Sequence, residues 1–310
     1  YERGYVGSAS NEYNGVTTGQ DLSESRSEEQ LIEDAVKAAA DADVVLFFGG
    51  LNKDGHQDCE GTDRRQYNLP YAQDKVIEAL AAANPRLAVC LVDGNAVAMP
   101  WVEEVPAILQ CWFCGSQAGN SIADVVFGAV NPSGKLPFTF PVKIEDSPAH
   151  ALGVYTCGPD VKYEEGIYVG YRWFENRDIK PLFAFGHGLS YTEFEYSVFK
   201  ASSTVSADGT LKASVKVKNV GSREGKEVVQ VYVGEHNPVL DRPVKELKAF
   251  DKVSLAPGES KTVSFEIPAS DLAYFNEEKH EWILDPAHEF TVYFAAASDD
   301  VRGTVDFRTK

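Results

Sequence analysis

The sequence predicts a protein of two parts, an α/β domain with a mostly parallel sheet followed by an all-β sandwich. Continuous apolar runs alternate with helical patterns in the first half, which is typical of strands flanked by helices. From about residue 190 the pattern changes to short, alternating segments separated by turn residues. The length of 310 residues is sufficient for two domains of ordinary size.

The α/β part opens, after a polar start, with a clear helix signal. Ser27 and Gln30 stand at capping-box spacing, and apolar residues such as Leu31 and Ala35 recur at helical spacing behind them. The run "ADVVLFFGG" predicts a strand covered on both faces, and a helix is expected to start at Pro70 and stop at Asn84. Two further buried strands and a helix follow in "RLAVCLVDG", "AILQCWF" and "SQAGNSIADVVFGAV".

The last 120 or so residues predict a β-sandwich of the fibronectin type III kind. No cysteine follows Cys157, which excludes the disulfide-bearing immunoglobulin variety. We therefore predict an α/β domain in residues 1–150, an aromatic interdomain segment in 151–190 and the sandwich in 191–310. Seven strand-like segments support the sandwich: "YTEFEYSVFKAS", "LKASVKVKNVG", "KEVVQVYVGE", "KELKAFDKVSL", "SKTVSFEIP", "EWILD" and "HEFTVYFAAAS".

Charge and motifs exclude several classes of function. A net charge of −18 argues against nucleic acid and against an anionic membrane surface as partners. No apolar stretch approaches the roughly 20 residues that a bilayer span needs. The glycine motifs of dinucleotide and nucleoside-triphosphate sites and the nucleophile elbow of α/β-hydrolases are absent from the sequence, so we predict no cofactor.

The five cysteines form an odd and sparse set, which does not predict a disulfide framework. Cys111 and Cys114 make a C-x-x-C pair, but a zinc site would need a second ligand pair at suitable spacing. We therefore expect these two thiols to lie in or near the core and predict no metal site. The chain does not begin with Met, and we expect it to be part of something longer.

One loop is rich in titratable groups. The stretch "GHQDCEGTDRRQYNLP" follows the first predicted strand, at the sheet edge where parallel sheets bind their ligands. Glu60 precedes Gly61, which permits close approach of the backbone to a ligand, while Asp63 and Arg64 could pair and brace the loop. A general acid must be held within hydrogen-bond distance of the leaving oxygen, and its pKa must be raised towards neutrality. These residues alone fit a structural polar loop at least as well as a catalytic one, with Asp58 as another carboxylate.

Several motifs taken together resemble glycoside hydrolase family 3, the β-glucosidase and β-xylosidase family, in its C-terminal half. They occur in the family's order and cover most of residues 50–200, and the trailing sandwich resembles the fibronectin type III-like domain of many members. The strings are "GLNKDGHQDCEGTDRRQYNLPYAQDKVIEAL", "VDGNAVAMPW", "GNSIADVVFGAVNPSGKLPFTFP", "YEEGIYVGYRWF" and "FAFGHGLSYTEFEYS".

The resemblance implies a retaining β-glycosidase mechanism. In such members the acid/base Glu stands in an E-G-x-D-R context, which assigns that role to Glu60, with Asp63 and Arg64 as supporting residues and Asp58 as the alternative acid. The nucleophilic Asp of the family lies in a preceding (β/α)8 barrel, and too few residues stand before the sheet domain of this chain to form eight βα units.

The expected substrates are β-linked gluco- or xylo-oligosaccharides or aryl β-glycosides, and the expected partner is an N-terminal barrel domain or chain. The alternative is a non-catalytic carbohydrate-binding or adhesion protein built on the same two folds.

Overall fold

The computed structural model describes residues 1–7, 12–13, 16–17, 23–53, 55–155 and 159–310. The chain forms two compact units, Tyr1–Ala123 and Asp124–Lys310. Cys157 lies outside the described residues. The domain boundaries expected near residues 150 and 190 stay predictions.

The first unit is organised around a three-stranded parallel sheet. The central strand pairs in parallel with both neighbours, with Val45 opposite Leu87 and Cys90 opposite Leu109. The predicted mostly parallel sheet is therefore confirmed. The strands, in chain order, are the short β1 (Glu12–Tyr13) and β2 (Val16–Thr17), which pair with each other, then β3 (Val45–Gly50), β4 (Leu87–Val92) and β5 (Ala107–Gln110), which form the sheet.

Two helices pack against each other in this unit, and the second of them contacts the sheet. Helix α1 (Glu28–Ala40) begins with the predicted capping box, since the Gln30 N–H donates to Ser27 Oγ at 3.3 Å and the Ser27 N–H donates to Gln30 Oε1 at 3.1 Å. Helix α2 (Gln73–Ala83) connects β3 to β4, whereas turns rather than a helix connect β4 to β5. Asn84, which ends α2, is buried and donates to the main-chain oxygens of Ala39 and Ala42, both at 2.8 Å. The Asn84 side chain thereby links the C-terminal ends of α1 and α2.

Two expectations for this unit are wrong. Helix α2 begins at Gln73 instead of Pro70 because Tyr71 (φ 61°) and Ala72 (φ 59°) adopt left-handed backbone conformations, which interrupt an α-helix. Strand β3 is not covered on both faces, since Phe47 is buried while Phe48 is 50% exposed. The described sheet has three strands with β3 at its edge, so the apolar run does not require burial on both sides.

The second unit begins with the end of α3 (Ala118–Val126) and a loop-rich segment. This segment includes the short helices α4 (Pro148–Ala151) and α5 (Tyr171–Asn176). Trp173 and Phe174 of α5 are buried, and Trp173 Nε1 donates to the main-chain oxygen of Asp146 at 3.0 Å. The aromatic side chains of this segment therefore contribute to the packing of the second unit, although Tyr163 remains exposed.

The rest of the second unit is the predicted β-sandwich. Its strands are β6 (Phe194–Ala201), β7 (Thr204–Val205), β8 (Thr210–Asn219), β9 (Gly225–Glu235), β10 (Glu246–Leu255), β11 (Ser260–Pro268), β12 (Tyr274–Asn276), β13 (Glu281–Ile283), β14 (Glu289–Ala297) and β15 (Asp300–Thr309). A five-stranded sheet has the order β10-β9-β14-β15-β7, and a three-stranded sheet has the order β11-β8-β6. All pairs in these two sheets are antiparallel except β15 with β7.

The seven predicted segments all contain strands, and β7, β12 and β15 are additional. Alternate residues of the facing strands fill one core, which includes Val215, Val231, Val263, Phe265 and Phe294. This alternation is what makes the sandwich predictable from sequence. Among the helices in the described part of the chain, none combines the length and apolarity needed to cross a bilayer.

Candidate active site

The candidate site lies on the loop that leaves the carboxyl end of β3. The side chain of Gln73, at the start of α2, is buried and fixes this departure point through two hydrogen bonds to one residue. Its Oε1 accepts from the Gly50 N–H at 2.7 Å, and its Nε2 donates to the Gly50 oxygen at 2.9 Å. The amide thus mimics a neighbouring strand at the point where β3 ends. No local sequence pattern indicates this role.

Asp58 anchors the loop on the N-terminal side of Glu60. The Asp58 N–H donates to the Asn52 oxygen at 3.0 Å, which folds the first part of the loop back on itself. Its carboxylate Oδ2 accepts from the Gly94 N–H at 2.6 Å, in the turn that follows β4. Asp58 therefore uses its carboxylate to attach the loop to the neighbouring strand end.

Arg64 anchors the loop on the other side. Its guanidinium donates to the Ala96 oxygen at 2.7 Å and to the Tyr67 oxygen at 3.0 Å. Both of these acceptors are main-chain carbonyls, and the expected pairing of Arg64 with Asp63 stays a prediction. Tyr67 is itself tied to the same turn, because its oxygen also accepts from the Ala98 N–H at 3.0 Å. Partial burial lowers the pKa of Arg64, while the nearby carboxylate of Asp58 acts in the opposite direction.

Glu60 lies between these two anchors and is exposed. Within the part of the chain that the structure describes, no hydrogen bond or ion pair holds its carboxylate. The next residue, Gly61, has φ 82°, and a Cβ there would meet no atom within 4 Å. The left-handed backbone favours glycine at this position, and the open space leaves room beside the carboxylate. Asp63 is exposed, and its main-chain oxygen faces His56 Nδ1 at 3.0 Å.

The loop is also braced internally by Thr62. Its Oγ1 accepts from the His56 N–H at 2.9 Å and lies 3.0 Å from Cys59 Sγ. The Thr62 hydroxyl lowers the pKa of the Cys59 thiol. The residues that flank Glu60 thus hold one another, and the carboxylate projects from a defined backbone.

A buried pair that sequence reasoning missed lies beneath this loop. Asp93 directly follows β4 and is fully buried, and Gln110 Nε2 at the end of β5 donates to Asp93 Oδ1. Burial raises the pKa of Asp93 to about 6; nearby Asp58 acts in the same direction, whereas the Gln110 hydrogen bond and the charge of Arg64 oppose it. The available signal was an acidic residue directly after an apolar run, at the ligand-binding edge of a parallel sheet.

The cysteine pair and one acidic cluster lie outside the loop. Cys111 is buried as expected, whereas Cys114 is exposed, with its Sγ 2.6 Å from the Cys111 oxygen. Of the described residues, Glu235, Asp285 and His288 place one ligand atom each within 4.8 Å of one another. His288 Nδ1 already lies 2.7 Å from Glu235 Oε1, so part of this group is an internal hydrogen-bond network.

These features define a class of protein: a parallel α/β unit that presents a carboxylate on a doubly anchored loop, joined to a fibronectin-like sandwich. The model of the glycosyl hydrolase family 3 C-terminal domain matches residues 2–191, and that of the fibronectin type III-like domain matches residues 227–298. The chain belongs to glycoside hydrolase family 3, of which it contains the C-terminal part.

Curated relatives agree with this assignment. The chain is 50% identical over 284 residues to beta-glucosidase BoGH3A of Bacteroides ovatus. This alignment covers 90% of this chain and 38% of the relative. It is 43% identical over 275 residues to thermostable beta-glucosidase B of Acetivibrio thermocellus, covering 88% of this chain and 36% of the relative. The chain thus spans a little over a third of the length of these relatives.

Solved structures show the same architecture. A beta-glucosidase from Kluyveromyces marxianus in complex with glucose superposes with a TM-score of 0.86 at 38% identity, over 93% of this chain and 34% of that one. The GH3 beta-glucosidase of Bifidobacterium adolescentis superposes with a TM-score of 0.85 at 34% identity, over 92% of this chain and 42% of that one.

Proposed function

We propose that this chain supplies the general acid/base of a retaining β-glucosidase, and that Glu60 is that residue. The observation that carries the proposal is the contrast between two carboxylates that lie two positions apart, one of which is hydrogen-bonded and the other exposed. Asp58 is committed to the Gly94 N–H at 2.6 Å, whereas Glu60 is exposed on a loop that is held on both sides. A general acid must present its carboxyl group to a leaving oxygen, and of these two only Glu60 is free to do so.

In the first step Glu60 donates its proton to the glycosidic oxygen as the bond to the sugar breaks. An Asp carboxylate of a (β/α)8 barrel forms the glycosyl-enzyme intermediate from the other face. In the second step Glu60 removes a proton from the water that releases the sugar. Retention requires the two carboxyl groups to lie roughly 5–5.5 Å apart, so the barrel must bring its Asp close to the exposed loop.

The substrate class is a terminal β-D-glucoside in preference to a β-xyloside. The relatives compared above are named β-glucosidases, and a solved relative is described in complex with glucose. Because the chain covers little more than a third of their length, the barrel and most contacts to the sugar belong to another part or another chain. We therefore expect the 310-residue chain alone to be inactive. Turnover of an aryl β-glucoside by the purified chain would contradict the proposal.

The decisive experiment is azide rescue in the complete enzyme. Glu60→Gln should slow hydrolysis of the glycosyl-enzyme intermediate by about 100-fold or more, since one acid/base residue contributes on the order of 10²–10⁴-fold. Azide should restore turnover of an activated aryl β-glucoside by acting as the nucleophile in the second step, with the product a β-glucosyl azide. Asp58→Asn is the matched variant, and azide should have no effect on it. Rescue of Asp58→Asn, with Glu60→Gln near wild type, would transfer the role to Asp58.

A further inference from the structure

The feature that the proposed function does not use is the buried Asp93–Gln110 pair under the Glu60 loop. Gln110 Nε2 donates to Asp93 Oδ1, which leaves one oxygen on each side chain, Asp93 Oδ2 and Gln110 Oε1. Both of these oxygens are buried and have no hydrogen-bond partner among the described residues. An ionised carboxylate and a primary amide would thus leave two acceptors without a donor in a site shielded from water, which is costly.

A proton on Asp93 removes this conflict. A neutral carboxyl group has one O–H donor and one acceptor oxygen, which matches the N–H donor and the acceptor oxygen of the Gln110 amide. We propose that in mildly acidic solution Asp93 is a neutral carboxylic acid that forms a two-hydrogen-bond acid–amide pair with Gln110, and that this pair positions the turn to which the Glu60 loop is attached. In this pair Asp93 Oδ2 donates to Gln110 Oε1.

The turn in question comprises residues 93–98, and it carries both anchors of the loop. Gly94 donates to Asp58, Ala96 accepts from Arg64, and Ala98 donates to the oxygen of Tyr67. Asp93 is the first residue of this turn, and its link to Gln110 joins the end of β4 to the end of β5. Asp93 is therefore a positioning residue, and that part of the inference rests on the assignment of Glu60.

The titratable groups around Asp93 lie on the loop and directly after β5. On the loop, the Asp58 carboxylate favours the protonated form and the Arg64 guanidinium favours the ionised form. On β4 itself the next side chains carry no charge, and beyond β5 the buried thiol of Cys111 faces Asp93. Burial is the largest influence and favours the proton, in agreement with the unpartnered oxygens.

The first test measures the stability of the 310-residue chain between about pH 4 and pH 8 and needs no catalytic activity. Asp93→Asn keeps a donor and an acceptor in the same positions, whereas Asp93→Ala leaves the Gln110 amide unpaired. A carboxyl group whose pKa is raised from 3.8 to about 6 on folding stabilises the chain fully below the lower value. That contribution is lost as pH rises through about 6, and two pKa units correspond to a roughly 100-fold fall in the folding constant.

We expect the wild-type folding constant to fall by about this factor relative to Asp93→Asn as the pH rises. Asp93→Ala should be less stable than Asp93→Asn at every pH, and the exposed Asp43→Asn should follow the wild type. A carboxyl carbon resonance that titrates near pH 6 in the wild type and is missing from Asp93→Asn would identify the group directly. Equal pH dependence of the wild type and Asp93→Asn, or equal destabilisation by Asn and Ala, would overturn the inference.

The second test addresses positioning in the complete enzyme. Asp93→Ala should lower kcat for an aryl β-glucoside by about 10-fold to 100-fold through displacement of the loop, and Asp93→Asn should restore most of it. Failure of Asp93→Asn to restore kcat, despite a wild-type stability at about pH 5, would refute the positioning role. The azide experiment on Glu60 is independent of both results, so failure of the acid/base assignment can be told apart from failure of this inference.

Discussion

Arg64→Ala is the sharpest test of how the candidate loop is held. The substitution removes the guanidinium bonds to the Ala96 oxygen at 2.7 Å and to the Tyr67 oxygen at 3.0 Å. A hydrogen bond to a charged group contributes about 1.5–3 kcal/mol, and Arg64 is only partly buried, so we take about 1.5 kcal/mol for each. The loop should therefore lose about 3 kcal/mol of local stability, which corresponds to a roughly 100-fold or greater rise in the population of the detached loop.

Amide hydrogen exchange measures this population directly. The informative amides are those of Gly94, which donates to Asp58, and Ala98, which donates to the Tyr67 oxygen. We expect the protection of both to fall by about 100-fold in Arg64→Ala, whereas the exposed neighbour substitution Arg65→Ala should leave it unchanged. Protection within about threefold of the wild type in Arg64→Ala would show that the two carbonyl bonds do not hold the loop.

Two further substitutions test the frame of each unit. Asn219→Ala should destabilise the second unit by about 3 kcal/mol or more, as measured by chemical denaturation. The Asn219 side chain is buried and makes four hydrogen bonds: it accepts from Thr192 and Gly221 and donates to the Arg223 and Leu255 oxygens. A loss below about 1 kcal/mol would contradict that reasoning. Ser27→Ala should cost about 1 kcal/mol in the first unit through loss of the capping box, and an unchanged denaturation midpoint would argue that the box contributes nothing.

The parts of the fold that depend on local patterns were predictable from the sequence. The capping box at Ser27 and the alternating strands of the sandwich rest on residues a few positions apart, and the parallel sheet follows from the alternation of apolar runs with helical patterns. The start of α2 was not predictable, because Pro70 is a favourable first residue of a helix and nothing local reveals the left-handed backbone of Tyr71 and Ala72. The exposure of Phe48 depends on the position of β3 at the sheet edge, which is a property of the whole unit.

The same distinction applies to the candidate site. The sequence pattern predicts Glu60 on a loop after a strand, and the structure describes it there. The pattern could not reveal that Arg64 donates to carbonyls of residues 67 and 96, or that Asp93 meets Gln110, 17 positions later. Contacts of this kind join residues that are distant in the chain, so a single sequence shows no periodic pattern that would predict them. The charge-rich loop suggested a pairing between the adjacent Asp63 and Arg64, which stays a prediction, but it gave no sign of the main-chain acceptors that Arg64 also uses.

The two anchors of the loop also set a limit on the movement of the carboxylate between them. Glu60 follows Asp58 by two residues and precedes Arg64 by four, and a fully extended chain spans only about 3.5 Å per residue. The tether is therefore short, and the entropy cost of ordering it is met when the first unit folds. One inserted residue would lengthen the tether by about 3.5 Å, which exceeds the range of carboxyl spacings that fits the acid/base role proposed for Glu60. The length of this span should consequently be under tighter constraint than the identity of its residues.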